Sequence, residues 1–194
     1  MQRFLCMSPR FRNIDDAQLL RAMAHPLRIR LIGTLHRDGP ATASELARRL
    51  GESSGATSYH LRILAKYGFI EDDPERNRGR ERWWRAADEG IEWSLDTDDA
   101  GLIEADRALG RQLVVEYQRW LQRWYAELPQ WDRPWRAAAT ASDRWYELTP
   151  DELRALNDEV LAVLDRYADR QTQREATEKV VTLFHAFPER RDAT

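Results

Sequence analysis

Residues 53–70 read SSGATSYHLRILAKYGFI, and this stretch decides the fold. Leu61, Leu64 and Ala65 recur at the spacing of one helix face. Ser54, Gly55, Ser58, Tyr59, Arg62 and Lys66 fall on the other side, three and four residues apart. Ser53 or Ser54 suits the N-cap. The helix runs to Tyr67, and Gly68 ends it in a left-handed cap. Its outer face is small and polar at the N-terminal end and basic at the C-terminal end. A DNA major groove admits such a helix: small residues permit close approach, and hydroxyls and Arg62 meet base edges. Helix N-termini also offer backbone N–H groups to phosphate. A solvated surface helix shows a polar face too, so the neighbouring elements must carry the distinction.

Upstream, Thr42-Ala43-Ser44-Glu45 spells a capping box, followed by Leu46 and Leu50 and a stop at Gly51. Two short helices joined by Gly51-Glu52-Ser53 form a helix-turn-helix. Farther upstream, Asp15 to Ala24 reads as a helix with Leu19, Leu20 and Met23 inward. His25-Pro26 opens another, with Leu27, Leu31, Ile32 and Leu35 as its stripe and Gly39-Pro40 as its end. Downstream, Phe69-Ile70-Glu71 and Arg82-Trp83-Trp84-Arg85 read as two strands around a charged tip, residues 73–80. That hairpin is a wing. Arg76, Arg78 and Arg80 on its tip are placed to reach a phosphate backbone or an adjacent minor groove. An arginine-rich turn alone is ordinary exposed charge; the order of the elements gives it meaning.

Residues 15–87 resemble the winged helix-turn-helix of the ArsR/SmtB family of bacterial repressors. The resemblance rests on Ala24-His25-Pro26-Leu27-Arg28, on Glu45-Leu46-Ala47, and above all on Thr57-Ser58-Tyr59-His60-Leu61-Arg62-Ile63-Leu64 followed by Gly68-Phe69-Ile70. Phe69-Ile70 stands where the family has Leu-Val. The resemblance implies a homodimer that sets two recognition helices in successive major grooves of a near-palindromic operator in double-stranded DNA. It also implies that Ser58, Tyr59 and Arg62 face bases. The full expected DNA-contact set is Ser54, Thr57, Ser58, Tyr59, His60, Arg62, Lys66, Arg76, Arg78 and Arg80. Metal-sensing members carry a cysteine pair where this chain reads Glu45-Leu46-Ala47-Arg48-Arg49-Leu50. The four histidines, at 25, 36, 60 and 185, show no ligand spacing. No metal and no cofactor are therefore expected. His25 reads as a helix cap. His60 suits a structural hydrogen bond better than a DNA contact, and the lone Cys6 reads as incidental rather than as a redox sensor.

The second half differs in character. Ile103 to Leu128 reads as one long helix with a stripe of Leu109, Leu113, Tyr117, Trp120, Leu121, Trp124 and Leu128, ended by Pro129 and Pro134. Asp143 to Leu148 alternates like a strand. Thr149-Pro150-Asp151-Glu152 opens a further helix, with Leu153, Leu156, Val160, Val163, Leu164 and Tyr167 on its apolar face. Val180 to Phe187 is the most strand-like run of the chain, closed by Pro188. The expected order is helix, strand, helix, strand, with the strands paired. Tyr117, Trp120, Trp124 and Trp145 form a candidate pocket for an apolar or aromatic small-molecule effector; the alternative is core and dimer interface. His185 reads as a satisfied buried histidine. The tail resembles, more loosely, the C-terminal extensions of ArsR-like regulators of the high-GC, actinobacterial type.

Composition sets the limits. The chain has 194 residues, 42% hydrophobic and 32% charged, which suits one or two soluble globular domains. One cysteine precludes an intrachain disulfide. No apolar stretch suggests a signal peptide or a membrane span, so a cytoplasmic protein is expected. Lys66 and Lys179 are the only lysines among 30 basic residues. A GC-rich genome accounts for that bias more simply than a preference for bidentate contacts. The net charge of -3 seems to disfavour DNA, but it is unevenly divided. Residues 1–90 hold 16 basic and 12 acidic side chains (+4), and residues 91–194 hold 14 and 21 (-7). Six of the eight tryptophans also follow residue 90. The expected division is an N-terminal extension (1–14), a winged helix-turn-helix domain (15–95) and a C-terminal dimerisation or effector domain (96–194). The fold class is mainly α with a small β component, the C-terminal domain being helical with two strands. An enzyme is not expected: no nucleophile–base pair or Gly-rich phosphate loop is visible, and Glu147, Asp151 and Glu178 are its only candidates. A winged helix that docks a protein partner instead of DNA is the rival reading.

Overall fold

The computed structural model describes residues 11–13, 16–76, 81–88, 90–93, 95–168 and 177–189. Cys6, Arg78 and Arg80 lie outside the described residues. The order is β1 (Phe11–Asn13), α1 (Ala17–Met23), α2 (Pro26–Asp38), β2 (Ala41–Thr42), α3 (Ala43–Leu50), α4 (Ser54–Lys66), β3 (Ile70–Asp72), β4 (Trp83–Ala86), β5 (Gly90–Glu92), α5 (Ala100–Glu127), α6 (Arg133–Ala138) and α7 (Pro150–Ala168). A 3-10 turn, Leu128–Gln130, separates α5 from α6.

Local signals set most of these boundaries. His25 caps α2, its Nδ1 accepting from Leu27 N–H at 3.1 Å, with Pro26 at the first position. Thr42 and Glu45 close a reciprocal capping box on α3. Gly51 ends α3 in the left-handed region (φ 68°), where a side chain would be strained. Ser53 caps α4 by accepting from Ala56 N–H at 3.2 Å. Gly68, at φ 71°, turns the chain from α4 into β3.

The wing is a three-stranded sheet in the order β2-β4-β3, all neighbours antiparallel. β2 adds two residues that the hydrophobic pattern does not announce. Across β3 and β4, Glu71 faces Arg85 and the two side chains pair at 2.6 Å. A separate parallel pairing joins β1 to β5.

The core lies among α1, α2, α4, the wing sheet and α5, centred on the fully buried Leu20, Leu31, Leu46, Leu61, Leu64, Ile70 and Leu109. α5 packs along α1 and α2 through Ala105 and Leu109. Trp93 Nε1 donates to Asp106 Oδ1 at 2.7 Å, and Arg21 donates to the Gly101 carbonyl at 3.2 Å. Composition changes near residue 95, but contacts divide the chain into two compact units between Glu127 and Leu128. The cause is this packing: the first half of α5 completes the helix-turn-helix core.

The unit beyond Glu127 contains α6 and α7. Thr149 and Glu152 close a capping box on α7, and these bonds hold the Glu152 carboxyl below the usual carboxylate range. Neither strand expected here forms. Asp143–Leu148 and Val180–Phe187 carry no regular secondary structure and pair with no strand among the described residues. Alternation alone cannot make a strand, because its backbone groups need a ladder partner. Residues 143–148 are exposed throughout, so no buried face favours pairing.

Candidate nucleic-acid interface

α3 and α4 meet through Gly51-Glu52-Ser53, and the turn is braced from α2. Arg30 donates to Glu52 at 3.0 Å and to the Leu50 carbonyl at 2.6 Å. On α4, Leu61 and Leu64 point into the core. Ser54, Gly55, Tyr59, Arg62 and Lys66 are exposed, and Ser58 is half-buried. Tyr59, 58% exposed, is the largest group on this face. Ser54, Ser58, Arg62 and Lys66 repeat every four residues and so form one ridge. Arg62 and Lys66 make no ion pair among the described residues; Lys66 Nζ lies 5.4 Å from the Tyr67 ring.

Two members of the expected contact set behave differently. Thr57 is 0% exposed, and its hydroxyl lies under the helix without a hydrogen-bond partner. Its spacing to Leu61 and Leu64 (i, i+4, i+7) puts it on the inner face. His60 is half-buried and makes a ring contact rather than the expected hydrogen bond: its ring lies 4.2 Å from that of His25, tilted by 34°. Its Nδ1 is buried with no hydrogen-bond partner. Burial lowers the pKa of both histidines, aided by the Arg28 charge and, for His60, by His25. Arg28 belongs to this cluster and is itself partly desolvated, which lowers its pKa. The cluster links the start of α2 to the middle of α4. Only a three-dimensional contact brings these residues together, and no local spacing announces it.

Among the described residues of the wing, Arg76, Arg82 and Arg85 each have an acidic partner. Arg76 lies 5.1 Å from the Trp83 ring and 3.8 Å from Asp73. Arg82 stacks 4.0 Å from the Trp84 ring and forms a fork with Asp72, one limb at 2.8 Å. Sequence reasoning passed over Arg48. It is exposed in the last turn of α3 and unpaired among the described residues, where the first helix of a helix-turn-helix crosses the DNA backbone.

Of the aromatic candidates, Tyr117, Trp120 and Trp124 lie on α5. Tyr117 and Trp120 contact each other on α5 with centroids 5.4 Å apart, and burial raises the Tyr117 pKa. Trp120 Nε1 donates to Glu116 at 3.0 Å. Trp124 is half-buried on the same helix. Trp145 belongs to the other unit and is 76% exposed. The cleft beside this part of α5 is lined by arginines instead. Among the described residues no helix is long and apolar enough to cross a membrane.

Known proteins agree with the helix-turn-helix. The family described as "Helix-turn-helix domain" matches residues 23–73. The HTH-type transcriptional regulator YgaV of Escherichia coli (strain K12) is 37% identical over 62 residues, 32% of this chain. The chain thus spans 63% of the length of that relative. Among solved structures, the transcriptional repressor BigR from Xylella fastidiosa aligns over 53% of this chain and 84% of its own, with 20% identity and a TM-score of 0.34. ZitR from Lactococcus lactis in apo form aligns over 77% and 84%, with 15% identity and a TM-score of 0.28. Residues 23–73 form a helix-turn-helix domain similar in sequence to that of a transcriptional regulator.

Proposed function

We propose that this chain is a DNA-binding transcription regulator of the ArsR/SmtB type, acting as a homodimeric repressor on a near-palindromic operator. One observation carries the reading: the capped α4 exposes Ser54, Tyr59, Arg62 and Lys66 on its outer face, directly before a wing. In this reading Ser58, Tyr59 and Arg62 meet base edges, while Lys66, Arg76, Arg78 and Arg80 serve the backbone. Residues 15–95 are the reading head, and residues 96–194 dimerise and receive an effector. Val114, Val115, Leu121 and Tyr125 support dimerisation, being exposed apolar groups on α5. Repression ends when an effector favours a dimer geometry that no longer spans two half-sites, which requires different affinities for the two geometries.

The test is fluorescence anisotropy on a fragment of the chain's own promoter, with Arg62→Ala beside the wild type. Arg62→Ala should cost about 1–3 kcal/mol and relax specificity at one operator position. Wild-type protein that ignores the fragment at low salt overturns the proposal. A protein retained from cell extract by the wild type in that case favours the docking reading.

A further inference from the structure

α2, the C-terminal end of α3 and α5 enclose an open cleft of about 270 Å³. Five arginines line it: Arg30 and Arg37 from α2, Arg49 from α3, and Arg119 and Arg123 from α5. Helical spacing explains the convergence. Arg30 and Arg37 are two turns apart on α2, and Glu116, Arg119 and Arg123 share one face of α5. Gly33 lets the two helices approach, since a β-carbon there would lie 3.3 Å from Trp120 Cζ2.

The acidic groups nearby are few and held in place. Glu116, 13% exposed, accepts from Trp120 Nε1 at 3.0 Å and from Arg119 at 3.1 Å. Glu52 holds Arg30. Asp38 accepts a fork from Arg37 at 2.7 and 3.0 Å, with Arg49 at 3.6 Å. The charges of Arg37, Arg49 and Arg123 all favour its ionised form. Guanidinium groups from three helices therefore act on one carboxylate. Set against Glu116, Asp38 and Glu52, the five arginines leave an excess of two positive charges. In a chain whose net charge is -3, that excess in a concave place is a local feature.

We propose that this cleft binds a small phosphorylated anion. Planar guanidinium forks match phosphate oxygens two at a time, and an excess of two charges matches a phosphomonoester dianion. The volume lies just below the roughly 300–1,000 Å³ of pockets for drug-sized molecules, which suits a compact ligand. An anion there ties α3 to α5, so it would act on the junction between the reading head and the helix that completes its core. That regulatory consequence rests on the DNA-binding reading; the binding itself does not.

The test is calorimetric titration of the full chain with the phosphomonoester disodium glycerol phosphate in dilute buffer, without DNA and with sodium chloride of equal ionic strength as the control. Saturable binding at one site per chain is expected. Arg49→Gln and Arg123→Gln should each weaken it about tenfold, the loss of a charged hydrogen bond. Arg62→Gln on α4 should leave it unchanged. Arg123 makes no ion pair among the described residues, so its variant keeps the experiment decisive if Arg49→Gln fails to fold. No saturable heat, equal heat from chloride, wild-type affinity in Arg123→Gln, or equal losses in Arg62→Gln and Arg123→Gln would each overturn the proposal. Failure here leaves promoter binding untouched, since the two are measured separately.

Discussion

Acidification should destabilise the helix-turn-helix through the His25–His60 contact. In the fold, His25 Nδ1 accepts from Leu27 N–H, and the two rings lie 4.2 Å apart. A proton on His25 Nδ1 removes the cap, and a proton on either ring sets a charge in a desolvated place beside Arg28. Glu52 pulls both histidines the other way, as the smallest contribution. The folded pKa values are thus lowered, so the unfolded chain binds more protons. The stabilisation is fully present above the unfolded histidine value, about 6.5, and is lost as pH falls through it toward the folded values. Each histidine can contribute a slope of at most about 1.4 kcal/mol per pH unit, and solvent screening at these half-buried rings keeps the slope below that limit. The assay is urea unfolding at about pH 7.5 and about pH 5.5, with the wild type and His25→Asn compared at constant m. Asparagine is a good N-cap and does not titrate in this range, so the variant should lose about 1 kcal/mol or less at the higher pH and show a flatter pH profile. Equal losses of stability in the two proteins on acidification would refute the reasoning.

Leu61→Ala removes a fully buried side chain between α4 and the core. It should lower unfolding free energy by about 2.7–5 kcal/mol, read from the urea midpoint. Thr42→Ala breaks the α3 capping box. It should cost about 1 kcal/mol, an effect checked in the same experiment. Asp72→Asn with Asp73→Asn frees Arg82 and Arg76 from their carboxylates. It should strengthen non-specific DNA binding and steepen its dependence on salt by up to about 0.9 per freed cation, measured by anisotropy across a salt series.

The legible parts of this fold are those fixed by neighbouring residues. His25-Pro26, Thr42 with Glu45, Ser53, Gly51 and Gly68 each act within one helical turn, and each boundary they imply is present. Pairing across the chain is harder to read. β2 has two residues and exists because Ala41 and Thr42 meet Trp84 and Trp83. Asp143–Leu148 carries a strand-like alternation without a partner. Thr57 was legible after all, since its spacing to Leu61 and Leu64 marks the inner face. The His25–His60 contact and the arginine cleft were not, because helices distant in sequence supply their members.

The wing gives the charge partition a sharper meaning than the count of +4 over residues 1–90. Arg76, Arg82 and Arg85 face Asp73, Asp72 and Glu71, and two of the three lie against tryptophan rings. The Arg82–Asp72 and Arg85–Glu71 pairs are exposed and contribute little to stability on their own, while Asp73 is buried. Their effect is on presentation: they hold guanidinium groups along the hairpin while cancelling much of their field. Arg48, Arg62 and Lys66 have no ionic partner among the described residues, and they sit on the two helices of the helix-turn-helix. Among the described residues of the helix-turn-helix and the wing, the cations without an ionic partner thus lie on α3 and α4. Asp73, Asp72 and Glu71 must be displaced, or turned from the phosphate, before Arg76, Arg82 and Arg85 contribute fully. Under the proposed DNA-binding function, these arginines add most where α4 already holds the duplex close, which favours specific over non-specific sites.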